Sequence, residues 1–227
     1  MPGRLVLLGS PLLGPAVWQP VARRLEERGA EVTVVRPRRP VLTPDDVLAG
    51  LRDGVPDEPG LVLVPHSNAG LYVAALTAAR DVAGTVFVDA LLPSQQGSTP
   101  TADEDLRRVL RRMADEDGML PPWTSWWPDA DTAALFPDSA TRAAVETEQP
   151  RLPVTYFEQQ VPTPPGWAGL PAAYLGFGDT YAEEQAWARR RGWPVETVSG
   201  RHLHQLVDPD GVAEAVLRLA ATFRTDS

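Results

Sequence analysis

The feature that most constrains the fold is a repeated alternation of short apolar runs with helical patterns. Leu5–Leu8 and Leu61–Val64 are apolar throughout, which is typical of parallel strands covered by helices on both faces. The full set of runs lies at Leu5–Leu8, Glu31–Val35, Leu61–Val64 and Thr85–Val88, and again at Ala172–Leu175 and Pro194–Val198. Their order predicts an α/β fold with a mostly parallel, doubly wound sheet.

The alternation is interrupted between residues 91 and 170. This stretch contains two charged helical patterns and many prolines and tryptophans. We therefore predict a core formed by residues 1–90 and 171–227, with residues 91–170 as a helical cap insert over the sheet.

Missing residue types exclude several kinds of active site. The chain has no cysteine and no lysine, so all 21 basic residues are arginine. Thiolate nucleophiles, cysteine-ligated metals, Schiff-base lysines and phosphate-binding P-loop lysines are therefore impossible. We expect neither a metal nor a cofactor.

Charge and hydropathy limit the partners. The net charge of −9 argues against nucleic acid, which is usually bound by a basic face. No apolar run approaches the roughly 18 residues of a membrane span, so no membrane partner is expected. Four apolar residues at Leu5–Leu8 are too few for a signal-peptide core, which predicts a cytoplasmic protein. The expected partner is a small-molecule substrate.

A candidate nucleophile lies between the third apolar run and a predicted helix at Ala69–Ala79. The segment reads Pro-His-Ser-Asn-Ala-Gly, with Ser67 at its centre. A serine on a tight strand-to-helix turn can act as a nucleophile when the residues two before and two after it are small. Pro65 and Ala69 replace the glycines of the usual G-x-S-x-G pattern. In the alternative interpretation, Ser67 only caps the helix.

Two histidines outside this turn could serve as the base that a serine nucleophile requires. His202 and His204 both follow the last predicted strand, and we favour His202. A metal site formed by these two residues and His66 is the alternative, but no acidic fourth ligand is evident. We therefore predict no metal site.

Two aspartates could orient the base. Asp179 follows the strand Ala172–Leu175, and Asp89 directly follows Thr85–Val88. Both would lie at the carboxyl edge of a parallel sheet, where ligands bind. The order Ser67, Asp179, His202 agrees with the serine, aspartate, histidine order of such triads, and we favour Asp179. Asp89 is the alternative acid, and its structural role would be to bind loop backbone beside the insert.

Several short motifs together resemble the α/β-hydrolase superfamily. They are H-S-x-x-G at 66–70, F-V-D-A at 87–90, G-x-x-D at 176–179, and G-x-H at 200–202 followed by D-P at 208–209. Within that superfamily the chain is similar to small, single-domain esterase-like members related to methylesterases and hydroxynitrile lyases. The resemblance covers Leu5–Leu91 and Leu170–Phe223. It implies the α/β-hydrolase fold and a Ser67–His202–Asp179 triad, but no particular substrate.

The loop after the first strand departs from these relatives. They usually carry H-G-x there, and the third residue donates a backbone N–H to the oxyanion. This chain has Ser10, Pro11 and Leu12 instead, and Pro11 has no N–H. One oxyanion donor is expected at the Asn68 N–H. The second could be the Leu12 N–H or a donor from Ser10.

The aromatic residues of the insert bear on the substrate. Trp123, Trp126 and Trp127 could form a small core of the cap or line an apolar pocket above Ser67. We expect them at the substrate pocket, together with His66 and Tyr181. The absence of lysine disfavours hydroxynitrile-lyase chemistry.

The resulting prediction is a serine hydrolase of the esterase, thioesterase or lactonase kind, acting on a small apolar acyl substrate. One alternative is an enzyme of the same fold that catalyses intramolecular acyl transfer, cyclisation or elimination. A second alternative is a ligand-binding protein without catalysis.

Overall fold

A computed structural model of the chain describes residues 3–36 and 41–223. Residues 1–2, 37–40 and 224–227, which belong to the predicted core, lie outside the described residues. Eight strands lie in the described part: β1 Leu5–Leu8, β2 Val32–Val35, β3 Leu61–Ser67, β4 Val82–Ala90, β5 Gly97–Pro100, β6 Gln160–Thr163, β7 Ala172–Phe177 and β8 Val195–Val198.

The α-helices of the described residues, in chain order, are α1 Gln19–Glu27, α2 Pro44–Gly54, α3 Val73–Thr77, α4 Glu104–Met113, α5 Asp129–Ala133, α6 Ser139–Glu148, α7 Ala182–Arg190, α8 His204–Val207 and α9 Pro209–Ala221. Short 3-10 turns connect several of them. None of these helices combines the length and the apolar character that crossing a bilayer requires.

Six strands form one sheet in the order β2-β1-β3-β4-β7-β8, and every neighbouring pair is parallel. The predicted doubly wound α/β sheet is therefore confirmed. All residues of β1 and β3 are buried, so helices and loops cover both faces of these strands. α1 packs against α9, which also contacts β4 and β7, and α2 packs against α3.

The strand order places a crevice between β1 and β3. The chain moves outward from β1 to β2 and then returns to the other side of β1 as β3. At such a reversal, the loops after the two central strands separate and leave room for a ligand at the carboxyl edge. The loop after β1 and the residues after β3 therefore flank the position where a site is expected.

The chain between β4 and β7 contains two short strands in addition to its helices. Besides α4, α5 and α6, it contains the antiparallel pair of β5 and β6, with Gly97 opposite Thr163 and Pro100 opposite Gln160. The sequence gives no strand signal at 97–100 because Gly-Ser-Thr-Pro lacks apolar residues. A hydrogen bond of 2.7 Å between the hydroxyls of Thr99 and Thr163 joins the pair.

Candidate active site

Ser67 is the last residue of β3 and has a backbone conformation that is rare outside glycine. Its φ is 57°, and Asp89 is the only other described non-glycine residue with a positive φ. Such strain is typical of a nucleophile on a strand-to-helix turn. A Cβ atom at Gly70 would lie 2.0 Å from the Leu91 carbonyl oxygen, so only glycine fits there.

The helix expected at Ala69–Ala79 is shorter than predicted. A 3-10 turn over Asn68–Tyr72 precedes α3. Ser67 makes no side-chain hydrogen bond to this turn, so the capping role is not observed.

His202 lies against Ser67. It follows β8 in a loop before α8, and its Nε2 is 3.0 Å from the Ser67 Oγ. Its Nδ1 is 2.7 Å from the Asp89 Oδ2. A carboxylate can only accept, so Nδ1–H donates to Asp89 and Nε2 accepts the Ser67 O–H. His204, the alternative base, packs its ring against Phe177 instead, at 5.5 Å between centroids.

The structure corrects the expected carboxylate. Asp89 is fully buried, and its second oxygen accepts the Phe177 N–H at 2.9 Å. Asp179 is exposed. The physical reason is strand order: β4 lies directly beside β3, and Ser67 pairs with Ala90, whereas β7 is one strand further away. Asp89 therefore reaches His202.

His66 lies behind the base rather than in the cavity wall, which corrects its expected contact with substrate. Its Nε2–H donates to the His202 carbonyl oxygen at 2.9 Å. The two imidazole rings are stacked, with centroids 4.6 Å apart. Complete burial holds the pKa of His66 well below its ordinary value, and the nearby His202 lowers it further. His66 is thus a neutral support for His202.

Asn68 begins the 3-10 turn after the serine, where backbone N–H groups have no partner within the turn. Its side chain is fixed by the insert. The Asn68 Oδ1 accepts the Tyr156 hydroxyl at 2.8 Å, and its Nδ2 donates to the Thr101 carbonyl oxygen at 3.4 Å. The Tyr156 hydroxyl is also 2.7 Å from that of Tyr72.

The loop after β1 reaches the cavity wall. Leu12 lines the cavity, and its N–H donates to the Ser10 Oγ at 3.3 Å. This length exceeds the usual range of about 2.7–3.2 Å, so the bond is weak. Ser10 is fully buried, and its carbonyl oxygen accepts the N–H groups of Leu13 and Gly14. Of the two candidates for the second oxyanion donor, only Leu12 lies in the cavity wall.

A cavity of about 590 Å³ opens above Ser67. This volume lies within the range of small-molecule sites, about 300–1,000 Å³. Its wall is formed largely by apolar and aromatic side chains from the core and the insert. They are Leu12, Leu91, Leu106, Trp123, Trp126, Trp127, Leu135, Phe157 and Tyr181.

The three tryptophans both line this cavity and pack on one another. The Trp123 ring centroid is 5.9 Å from that of His202 and 4.7 Å from that of Trp127. Trp126 contacts Phe157 at 5.6 Å. Trp127 is 45% exposed at the mouth of the cavity. The two interpretations of these residues, cap core and pocket wall, therefore describe the same cluster.

Tyr181 lies on the side of the cavity nearest His202. Its hydroxyl oxygen is 3.5 Å from the Ser67 Oγ, and its ring centroid is 5.5 Å from that of His202. Burial raises the pKa of Tyr181, and the contact with Ser67 opposes this only in part. The phenol therefore keeps its proton at neutral pH.

Within the described residues, no group of three or more acidic or histidine side chains is arranged to hold a metal ion. His202 and His66 bind Asp89 and backbone, respectively, and His204 packs on Phe177.

Comparison with known proteins gives no family model and no curated protein that matches the sequence. Solved structures do match in three dimensions. An extracellular α/β-hydrolase from a Paenibacillus species, described as homologous in structure and function to tobacco salicylic acid binding protein 2, has a TM-score of 0.76 at 16% identity and covers 96% of this chain and 99% of its own.

Two further solved structures are similar over nearly their whole length. Polyneuridine aldehyde esterase has a TM-score of 0.70 at 16% identity, covering 97% of this chain and 100% of its own. Tomato methylketone synthase I, complexed with 2-tridecanone, has a TM-score of 0.75 at 15% identity, covering 99% and 100%. Together with the parallel sheet and the serine turn, these likenesses show that the chain has the α/β-hydrolase fold.

Proposed function

We propose that this protein is a serine hydrolase that cleaves esters with a small, largely apolar acyl group. Ser67 is the nucleophile, His202 the base, and Asp89 the carboxylate that orients it. The observation that carries the proposal is the unbroken hydrogen-bonded chain between them, with distances of 3.0 Å and 2.7 Å, at the floor of an apolar cavity.

The reaction follows from this geometry. The Ser67 oxygen attacks the ester carbonyl carbon while its proton passes to the His202 Nε2. Asp89 stabilises the imidazolium that forms. When the tetrahedral intermediate collapses, the carbon–oxygen bond to the alcohol breaks and His202 gives the alcohol its proton. Water, deprotonated by His202, then releases the acid from Ser67. These steps use side chains and water, so the proposal includes no cofactor.

The negative oxygen of the intermediate would be held by the N–H groups of Asn68 and Leu12. Asn68 is positioned by its hydrogen bonds to the insert. The Leu12 N–H must turn from the Ser10 hydroxyl toward the oxyanion, which its long bond of 3.3 Å permits. Each such donor contributes roughly 2.7–4 kcal/mol to transition-state stabilisation in characterised hydrolases.

The similar structures support an ester as the substrate class. One is named an esterase and another an α/β-hydrolase. The aromatic and aliphatic side chains that dominate the cavity wall support an apolar acyl part. Thioesters and lactones present the same carbonyl to Ser67 and belong in the same substrate panel.

A fluorophosphonate probe tests the proposal, because it reacts only with an activated serine. We expect the wild-type protein to be labelled and Ser67→Ala to remain unlabelled, with loss of p-nitrophenyl butyrate hydrolysis in the same variant. Failure of the folded wild-type protein to label would contradict the proposal and favour a ligand-binding protein. Labelling without turnover of any ester, thioester or lactone would favour intramolecular acyl transfer, cyclisation or elimination.

We also propose a cytoplasmic location. Leu5–Leu8, the first apolar run, forms the buried strand β1 next to the centre of the sheet and belongs to the folded domain. Cell fractionation tests this directly, and recovery of the protein outside the cytoplasm would contradict it.

A further inference from the structure

We propose that the Tyr181 hydroxyl is a catalytic hydrogen-bond donor to the leaving-group oxygen, and that the natural substrate is therefore the ester of an aliphatic alcohol. This inference rests on the proposed function, because it requires Ser67 to attack an ester.

The first support is distance. The Tyr181 hydroxyl oxygen is 3.5 Å from the Ser67 Oγ, so an atom bonded to the attacked carbon comes within its reach. The ring is held against His202, with centroids 5.5 Å apart. Tyr181 also lines the cavity, so substrate can contact it.

The second support is the side of Ser67 on which Tyr181 stands. The oxyanion donors belong to the loop after β1 and to Asn68, directly after β3. Tyr181 follows β7 and His202 follows β8, and both strands lie on the opposite side of β3 from β1. A carbonyl oxygen directed toward the β1 side leaves the alcohol oxygen on the side of His202, which must protonate it. The Tyr181 hydroxyl lies on the same side and can contact the alcohol oxygen of the ester.

The third support is protonation. Burial raises the pKa of Tyr181, so its hydroxyl remains a donor throughout the neutral and mildly alkaline range. As the bond to the alcohol breaks, the departing oxygen gains negative charge and takes a proton from the His202 Nε2. Tyr181 keeps its own proton and stabilises the charge by a hydrogen bond, which is stronger to a charged acceptor than to a neutral one.

This role indicates which class of ester depends on Tyr181. An aliphatic alkoxide is a poor leaving group and gains most from such a donor, whereas p-nitrophenolate is stabilised by its own ring. A tyrosine at this position therefore matters for alkyl esters and contributes little to activated aryl esters.

The test compares two esters with one acyl group, ethyl butyrate and p-nitrophenyl butyrate. For Tyr181→Phe we expect kcat/KM to fall roughly 10- to 100-fold with ethyl butyrate, the effect of one hydrogen bond to a charged group. With p-nitrophenyl butyrate we expect a change of less than about threefold, since kcat/KM reports acylation, the step in which the leaving group departs.

A matched control removes the tyrosine hydroxyl that binds the Asn68 side chain. Tyr156→Phe perturbs Asn68, whose N–H would bind the oxyanion formed from either ester. In this variant kcat/KM should therefore fall by the same factor for both esters. An equal loss for both esters in Tyr181→Phe, or no loss with ethyl butyrate, would overturn the inference. Fluorophosphonate should still label Tyr181→Phe, because this variant keeps Ser67 and His202. If the proposed function fails, the wild-type protein itself would not be labelled. The labelling experiment therefore separates failure of the inference from failure of the proposed function.

Discussion

The two sides of Ser67 differ in whether side chains or backbone groups face it. On the β4 side, buried side chains form a closed chain of hydrogen bonds, with 2.7 Å between Asp89 and His202 and 2.9 Å between His66 and the His202 backbone. On the β1 side, the candidate donors are backbone N–H groups, and Leu12 is held only by a 3.3 Å bond. His202 is therefore held both at its ring and at its backbone, whereas the Leu12 N–H must leave the Ser10 hydroxyl before it can bind an oxyanion.

The largest expected effect comes from removing the Asp89 carboxylate on the β4 side. Asp89→Asn keeps the shape of the side chain but removes the charge that stabilises the imidazolium and fixes the His202 tautomer. Loss of this group in a characterised serine protease lowers kcat about 10⁴-fold, and we expect a similar loss here. Turnover of p-nitrophenyl butyrate measures it.

Asp179→Asn is the matched control for that experiment. Asp179 is exposed and follows a strand of the same sheet, so its substitution should change kcat by less than about threefold. If Asp179→Asn lost as much activity as Asp89→Asn, the assignment of the carboxylate by strand order would fail.

The next effect addresses the candidate oxyanion donor at Asn68. Tyr156→Phe removes the donor to the Asn68 Oδ1 and leaves that buried oxygen unpaired. We expect kcat/KM to fall about tenfold, less than for complete loss of an oxyanion donor, and stability to fall by roughly 1–3 kcal/mol. Ester hydrolysis and urea unfolding measure the two.

Tyr72→Phe tests whether the position of Asn68, rather than general stability, causes that loss. The Tyr72 hydroxyl contacts Tyr156 and lies one hydrogen bond further from Asn68. Its removal should lower stability to a similar degree and leave kcat/KM within about threefold of wild type. Equal activity losses in Tyr72→Phe and Tyr156→Phe would show that the insert acts only through stability.

A smaller effect concerns the neutral histidine behind the base. The folded protein keeps His66 unprotonated, whereas the unfolded chain binds a proton there as pH falls through about 6.5. The unfolded state then holds more protons, so the free energy of unfolding should fall below this pH by up to about 1.4 kcal/mol per unit. Above about pH 6.5, His66 is neutral in both states and its contribution to the free energy of unfolding no longer changes with pH.

His66→Gln supplies the comparison for this pH dependence, because it retains a donor for the His202 carbonyl oxygen without titrating. Urea unfolding between pH 5 and 8 should show a flatter acid limb in the variant. Identical slopes in the two proteins would mean that His66 takes up its proton in the folded state.

The last effect concerns the free energy of unfolding in alkali and is absent at neutral pH. All four tyrosines lie at sites where burial is the main cause that raises their pKa: Tyr72, Tyr156, Tyr174 and Tyr181. The unfolded chain loses these protons near pH 10, so stability should fall as pH rises above about 10. Absorbance at 295 nm should stay flat through that pH and then rise with unfolding. A gradual early titration that disappears in Tyr181→Phe would place that hydroxyl in water.

Much of the core follows from sequence patterns. Uninterrupted apolar runs such as Leu61–Val64 are typical of strands buried on both faces, and they predict the parallel sheet. A serine between such a strand and a helix, with a histidine after the last strand, predicts the contact between Ser67 and His202.

The remaining features depend on which strands are neighbours. Asp89 and Asp179 both follow strands, and chain order allows either one; only the pairing of β4 with β3 brings Asp89 to His202. The hydrogen bond from Tyr156 to Asn68 joins residues 88 positions apart, and no local pattern signals it. β5 was missed because Gly97–Pro100 lacks the apolar residues by which strands are recognised.

The β5–β6 pair has a consequence for how this protein can diversify. It ties together the beginning and the end of the insert, next to Thr101, so the residues between the two strands form a loop closed at its base. Loops whose ends are fixed tolerate insertions and replacement at little cost to the rest of a domain. Exchange of the tryptophan-bearing part of the cavity wall therefore leaves the two ends of the insert joined to each other, but Tyr156 and Thr101 must be kept because they hold Asn68.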